Sequence, residues 1–339
     1  LVPAGYCQYF FFLLYLLRLY LAGLSFSAFS FYHKNKRFST LIASFIYIFS
    51  AYALVLGLMH PFFVAPMIWF PLILMGIDKI YDGKNPSLFI VFTAIAAMSN
   101  FYFFYMEIAL AILYALFRYF CVNRGFHVRS FFITLAKFAL YGLNAFLISA
   151  VILLPVLAVM LSSARFEASG DTSVSLFYKA DYYLKFIADF TNIQIPGSWT
   201  LMGYTSVGLF AVLLAFLKRK KYKKILIAFS LLTLFALLPM GAFALNGFAY
   251  VVNRWIFAYA MCVSYIVASV LPDIRGITEK EKRRAVLILL CISAASVAFD
   301  VTRTEQTMAS VSIILFLALV LLLVRINEIS LWKIRAFLA

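Results

Sequence analysis

Residues 98–107 read MSNFYFFYME. They lie inside an almost unbroken apolar run from Ser87 to Phe120, 34 residues long. A membrane crossing takes about 20 apolar residues, within a range of about 17–25. The run is too long for one crossing and too short for two ordinary ones, and a Ser, an Asn, two Tyr and a Glu sit at its middle. Its flanks decide its course. YDGKNP (81–86) precedes it, CVNRGFHVR (121–129) follows it, and both are basic. Basic connectors stay in the cytoplasm, so the run goes in and comes back on one side. The expectation is a hairpin of two short helices, 87–99 and 103–120, turning at SNFY. A helix over 87–99 reaches only about 20 Å, so the turn lies below the far surface. Non-helical backbone at that depth is tolerated where protein buries it or where it lines a wet cavity. Two readings stand. Asn100 and the tyrosines can complete a buried turn and an aromatic belt, or the turn lines a substrate cavity.

Composition makes lipid the solvent. Hydrophobic residues are 65% of the 339, charged residues 12%, and mean hydropathy is +1.00. Soluble domains have roughly 25% charged residues, and no soluble fold of this length hides so much apolar surface. The fold class is all-α, a polytopic helical membrane protein. Candidate spans are 6–31, 39–59, 61–79, 130–160, 203–217, 225–245, 255–272, 285–300 and 309–324, plus the hairpin, for about eleven crossings in one transmembrane domain over 1–339. The net charge of +16 is no nucleic-acid signature. Six connectors, among them HKNKR (33–37) and KRKKYKK (218–224), hold 22 of the 29 Lys and Arg, and the connectors opposite hold 5. The basic set is therefore cytoplasmic. This places the N-terminal end of the first span outside, as expected if one further span and its outer loop precede Leu1.

The one long non-cytoplasmic segment is 161–202. Within it, YYLKFIADF (182–190) suits a short interfacial helix. Its acids Glu167, Asp171, Asp181 and Asp189 match no metal motif and read as solvated loop charge. Four scattered cysteines read as small apolar fillers. Arg18 and Glu107 stand inside spans, where charge is expensive. They can pair with each other, or Arg18 can face an anionic lipid head group. Arg254, at the outer start of a span, suits a phosphate bidentately or anchors the interface beside Trp255. His60 is the one His on the outer side and makes no metal site. No Walker, nucleophile-elbow or zinc-protease motif occurs, so nothing within the chain supports ATP-driven transport.

HPFFVAPMIWFPLILMGIDKI (60–80), SNFYFFYM (99–106) and NGFAYVVNRWIFAY (246–259), with LLRLYLAGLSF (16–26) ahead of them, resemble the YfhO-like bacterial membrane proteins in that order. The resemblance implies a cell-membrane glycosyltransferase of the GT-C type. Such an enzyme takes a sugar from a polyprenyl-phosphate donor and transfers it, outside, to a cell-envelope polymer such as lipoteichoic acid. It implies a lipid-phosphate site, for which Arg18, Arg254 and Asn253 are the candidates. Asn100, Tyr102, Tyr105, Glu107, His60 and Asn246 would line the cavity. The acidic catalytic residue of GT-C enzymes sits in the first outer loop, so no residue here receives that role. A divalent cation is open, with no identifiable site. A lipid-linked transporter or flippase would need the same basic cavity and no base; a non-catalytic membrane subunit would need neither.

Overall fold

The computed structural model describes residues 6–123, 125–162, 174–191, 199–299 and 305–323. Everything described is helix or connector. The helices are α1 (Cys7–Tyr32), α2 (Arg37–Ile48), α3 (Gly57–Met59), α4 (Ala65–Tyr81), α5 (Ser87–Ser99), α6 (Phe101–Val122), α7 (Val128–Leu161), α8 (Ala180–Asp189), α9 (Thr205–Leu217), α10 (Arg219–Leu237), α11 (Pro239–Leu245), α12 (Ile256–Val270), α13 (Glu279–Phe299) and α14 (Glu305–Leu323). Five are long and apolar enough to cross a membrane, or up to seven if each bent pair is one span.

The two bent pairs are where expected continuous spans break. In 39–59, a π-helical turn at Tyr52–Leu56 separates α2 from α3, with a bend of 47°; an extra residue in the turn displaces the backbone ladder. In 225–245, α10 and α11 meet at 96°. Leu238 precedes Pro239 and is extended there, because the proline ring disfavours a helical residue before it.

The hairpin is present. Gly76 of α4 lies so close to the start of α5 that an added Cβ would stand 2.6 Å from the Phe89 nitrogen. The far end of α6 returns to the same end of α4, where Tyr81 donates to the Ala115 carbonyl at 2.8 Å. At the turn, Trp69 donates to Ser99 at 3.3 Å. A single residue, Asn100, joins the two helices with extended backbone, and its Oδ1 accepts from the Tyr102 and Phe103 amides at 3.0 and 3.3 Å. It is an N-cap, which supplies an acceptor to amides the helix cannot satisfy.

Helices α4 and α12 are buried on nearly every face and form the centre. Helices α1 and α7 turn large apolar side chains outward. In water such faces would be a liability; in a bilayer they are the solvent-matched surface. The basic connectors gather at one pole. There Lys218 donates to the Gly276 carbonyl at 2.9 Å, Lys221 to Asp273 at 2.5 Å, and Lys224 to the Cys121 carbonyl at 3.1 Å. By the positive-inside rule this pole is cytoplasmic.

Candidate functional site

The SNFY turn, the 61–64 helical turn and the 244–255 segment meet at the opposite pole. Arg254 is their common member. Its Nη1 donates to the Tyr102 hydroxyl at 3.0 Å. Its guanidinium carbon lies 5.1 Å from the ring centre of Trp199, 5.3 Å from Tyr102, 5.8 Å from Tyr250 and 6.0 Å from Phe63. All four are within the range at which a ring face attracts a cation. Four aromatic walls thus enclose one half-buried cation. Its Nε has no hydrogen-bond partner among the described residues.

A hydrogen-bond file fixes the walls. Tyr102 accepts from Arg254 and donates in a short contact to Asn246 Oδ1. Asn246 Nδ2 then donates to the Tyr250 carbonyl at 2.9 Å. Tyr105, one turn further along α6, donates to the Ala244 carbonyl at 3.0 Å. His60 is exposed and stacks on Phe63, 5.7 Å between ring centres, at the edge of the cage. Trp199 has φ of 60°, a left-handed backbone that is an outlier for a bulky residue.

Of the residues singled out in the sequence, Arg254, Tyr102, Asn246, Tyr105 and His60 come together here. Asn100 is the cap of the turn beside them. Asn253 points away from the cage. Its Nδ2 donates to Thr200, Tyr182 and Tyr178 at 2.8, 3.2 and 3.3 Å, and its Oδ1 accepts from Trp255 at 3.0 Å. It clamps α8 to the start of α12 and so positions Arg254. Arg18 lies half-buried in α1, without a bond to the cage or to Glu107 among the described residues. The Arg18–Glu107 ion pair is not formed. Glu107 is 1% exposed and its Oε1 is without a hydrogen-bond partner among the described residues. It sits deeper along α6, within electrostatic range of Tyr47 and Tyr52.

Three walls, Trp199, Tyr250 and Phe63, carry no signal of their own in the sequence. Phe63 and Tyr250 lie in stretches that carry the resemblance, but an aromatic beside a membrane boundary is ordinary. One acid is also placed differently than expected. Asp189 is not solvated loop charge: it is 2% exposed in α8, and burial pushes its carboxyl up to about 7, with Lys185 opposing. Its neighbour Asp181 is exposed, while Glu167 and Asp171 lie outside the described residues. Asp78, fully buried at the cytoplasmic end of α4, accepts from His33 at 2.9 Å and Tyr114 at 2.8 Å and has the Arg118 Nε 2.5 Å from its other oxygen. It locks α1, α4 and α6. Among the described residues, no group of three or more His, Cys, Asp or Glu side chains gathers that could hold a metal ion.

A cleft of about 330 Å³ runs between α6 and α7 over a floor of α5 and α4. A second cavity, about 360 Å³, lies at the hairpin turn between Asn100, Tyr102 and Leu153 of α7.

These features define a multi-span helical membrane protein with a polar, aromatic-walled site at its outer pole. The chain belongs to the family described as Bacterial membrane protein YfhO, which it matches over residues 1–339. A relative, the uncharacterized protein YfhO of Bacillus subtilis (strain 168), is 26% identical over 231 residues. The match covers 68% of this chain and 25% of the relative, so the chain spans about a quarter of that protein's length. No solved structure matches.

Proposed function

We propose that the protein is a membrane glycosyltransferase of the GT-C type, laid across the bilayer in about eleven crossings. It takes a sugar from a polyprenyl-phosphate donor and passes it to a cell-envelope acceptor outside, such as lipoteichoic acid. The observation that carries this reading is Arg254. A guanidinium presents a planar fork that matches a phosphate. Here the fork is fixed at the outer membrane boundary, and its Nε has no partner among the described residues. The rings around it offer apolar faces to a sugar's C–H face. The strained backbone of Trp199, one of those walls, is the kind of outlier that clusters at functional sites.

The chemistry asks for such a cation. As the sugar leaves, its phosphate gains negative charge, and a preorganised cation stabilises that charge without reorganising. The acceptor hydroxyl must give its proton to a base; that role is assigned to no residue of this chain.

The test is Arg254→Lys, read as sugar incorporation into envelope polymer per membrane-inserted protein. A charge-assisted hydrogen bond contributes about 1.5–3 kcal/mol, so the variant should transfer roughly ten- to a hundred-fold more slowly. Near-normal transfer would make Arg254 an interfacial anchor, since lysine also snorkels, and would leave Arg18 as the phosphate candidate.

A lipid-linked transporter is the second reading, favoured by the apolar α6–α7 cleft that runs along the bundle from Phe104 to Tyr119. Lipid translocation in proteoliposomes without sugar transfer would select it.

A further inference from the structure

We infer that the cytoplasmic pole carries a docking surface for the phosphate head groups of anionic phospholipids, built from matched basic stripes at the starts of α10 and α13. The inference stands apart from the Arg254 cage, which lies at the other pole.

Three observations carry it. The first is a shared pattern. Helix α10 has Lys220, Lys223 and Ile227, and α13 has Lys280, Arg283 and Leu287. Both sets follow the spacing i, i+3, i+7, which keeps three residues on one helix face. All six are exposed. The same faces run on through Leu231 and Leu234 of α10, 47% and 52% exposed, and Leu290 of α13, 42% exposed. A kink at Tyr222 interrupts α10, yet Lys220 and Lys223 stay exposed on either side of it. Outward apolar faces of this protein meet lipid tails. A cation four residues, about 6 Å, before such a face stands at head-group depth. Its stem lies along apolar surface and its charge reaches the phosphates.

The second is adjacency. Lys218 donates to the Asp273 and Gly276 carbonyls at 3.1 and 2.9 Å, and Lys221 pairs with the Asp273 carboxylate at 2.5 Å. These bonds fasten the start of α10 to the turn that leads into α13. The two stripes therefore open from neighbouring points of one pole.

The third is unspent charge. Segments 218–224 and 273–284 hold eleven Lys and Arg and three acids. The acids are engaged. Asp273 holds Lys221 and accepts from Tyr222 at 2.8 Å. Glu281 accepts from the Thr278 amide and hydroxyl at 2.8 and 2.9 Å, and Glu279 lies 3.5 Å from Lys282. Among the described residues, none of Lys220, Lys223, Lys280 and Arg283 joins an ion pair. Topology asks only for cations on the inner side; it does not ask them to head the stripes that lipid covers. A soluble acidic partner would be met by cations set away from those stripes.

The experiment uses the full-length protein in nanodiscs of phosphatidylglycerol and phosphatidylcholine. Each lipid in turn carries a photoactivatable diazirine near the glycerol end of one acyl chain. Crosslinks at Ile227 and Leu287 should favour the phosphatidylglycerol probe about fivefold or more, the factor one cation contributes near an anionic surface. At Phe10, exposed toward the outer end of α1, the two probes should label alike. Lys220→Gln with Lys223→Gln should erase the excess at Ile227 and spare it at Leu287. Lys280→Gln with Arg283→Gln should do the reverse. Each pair leaves nine of the eleven cations to hold the topology. Lys220→Arg with Lys223→Arg should keep the excess. Salt at about 1 M, where the screening length is about 3 Å, should remove it. Equal labelling by the two probes in the parent protein, or an excess that survives both Gln pairs, would overturn the assignment. So would capture of soluble polyphosphate without any phosphatidylglycerol excess, which would make the patch a site for cytoplasmic polyanions.

Discussion

Arg254 and Tyr102, 152 residues apart in sequence, share a 3.0 Å hydrogen bond at the outer pole of the molecule. The bond ties the hairpin turn to the segment that opens α12. It also sets the pitch of a ring that forms one wall around the cation it serves.

Tyr102→Phe separates those two duties. The ring wall remains, but Arg254 and Asn246 each lose a partner. Leaving buried polar groups unmatched costs roughly 1–3 kcal/mol. The expected result is a lower Tm in detergent micelles together with weaker polyprenyl phosphate binding. Unchanged stability would show that water replaces the hydroxyl and that the file does not hold the cage.

Asp78 and Glu107 are both buried acids, and opposite outcomes are expected for them. Asp78→Ala strips His33, Tyr114 and Arg118 of their common acceptor. Breaking a buried pair on one side costs roughly 3–5 kcal/mol, so the cytoplasmic ends of α1, α4 and α6 should loosen. Hydrogen exchange at those ends is the direct measurement, and protection at the unaltered level would refute the lock.

Glu107→Leu removes a buried carboxyl that has an oxygen without a partner. No hydrogen-bond partner of Oε1 among the described residues is orphaned, so the substitution should raise thermal stability, by an amount of the order of 1–3 kcal/mol. A fall in stability would reveal a partner for the carboxyl, such as an internal water.

Asp189 gives the protein a pH dependence of known sign. Its folded carboxyl titrates at about 7, against an ordinary value of 3.8. Between those values the folded state holds a proton that the unfolded chain has released. Stability contributed by this group is therefore full below 3.8 and lost as pH rises through about 7. The swing is on the order of 4 kcal/mol. Asp189→Asn stays neutral throughout, so its Tm should vary less across that window and exceed the parent's above it. Parallel Tm profiles for the two proteins would mean the carboxyl is hydrated.

Much of the architecture was legible in the sequence because lipid imposes its demand residue by residue. A run of apolar side chains between basic connectors can only be a helix, or two, with known sides. The 87–120 hairpin followed from its length and its flanks, and Asn100 at its turn is a residue type that caps helices. The breaks at Tyr52–Leu56 and at Leu238 were less visible. An extra residue in a helical turn leaves no hydropathy signal, and Pro239 reads equally well as a tolerated proline inside a span.

The sequence alone determined the solvent of this protein, its helical class, its poles and the residue types offered at each, since these depend on neighbours along the chain. Only the tertiary structure decided which of those residues act together. Phe63, Tyr102, Trp199 and Tyr250 come from four separate segments, and each by itself is an ordinary aromatic near a membrane boundary. They become a site because helix packing brings them around one guanidinium. The same packing buries Asp189 and Asp78 and leaves Asp181 in water. Burial and partnership belong to the folded arrangement, and no local pattern encodes them.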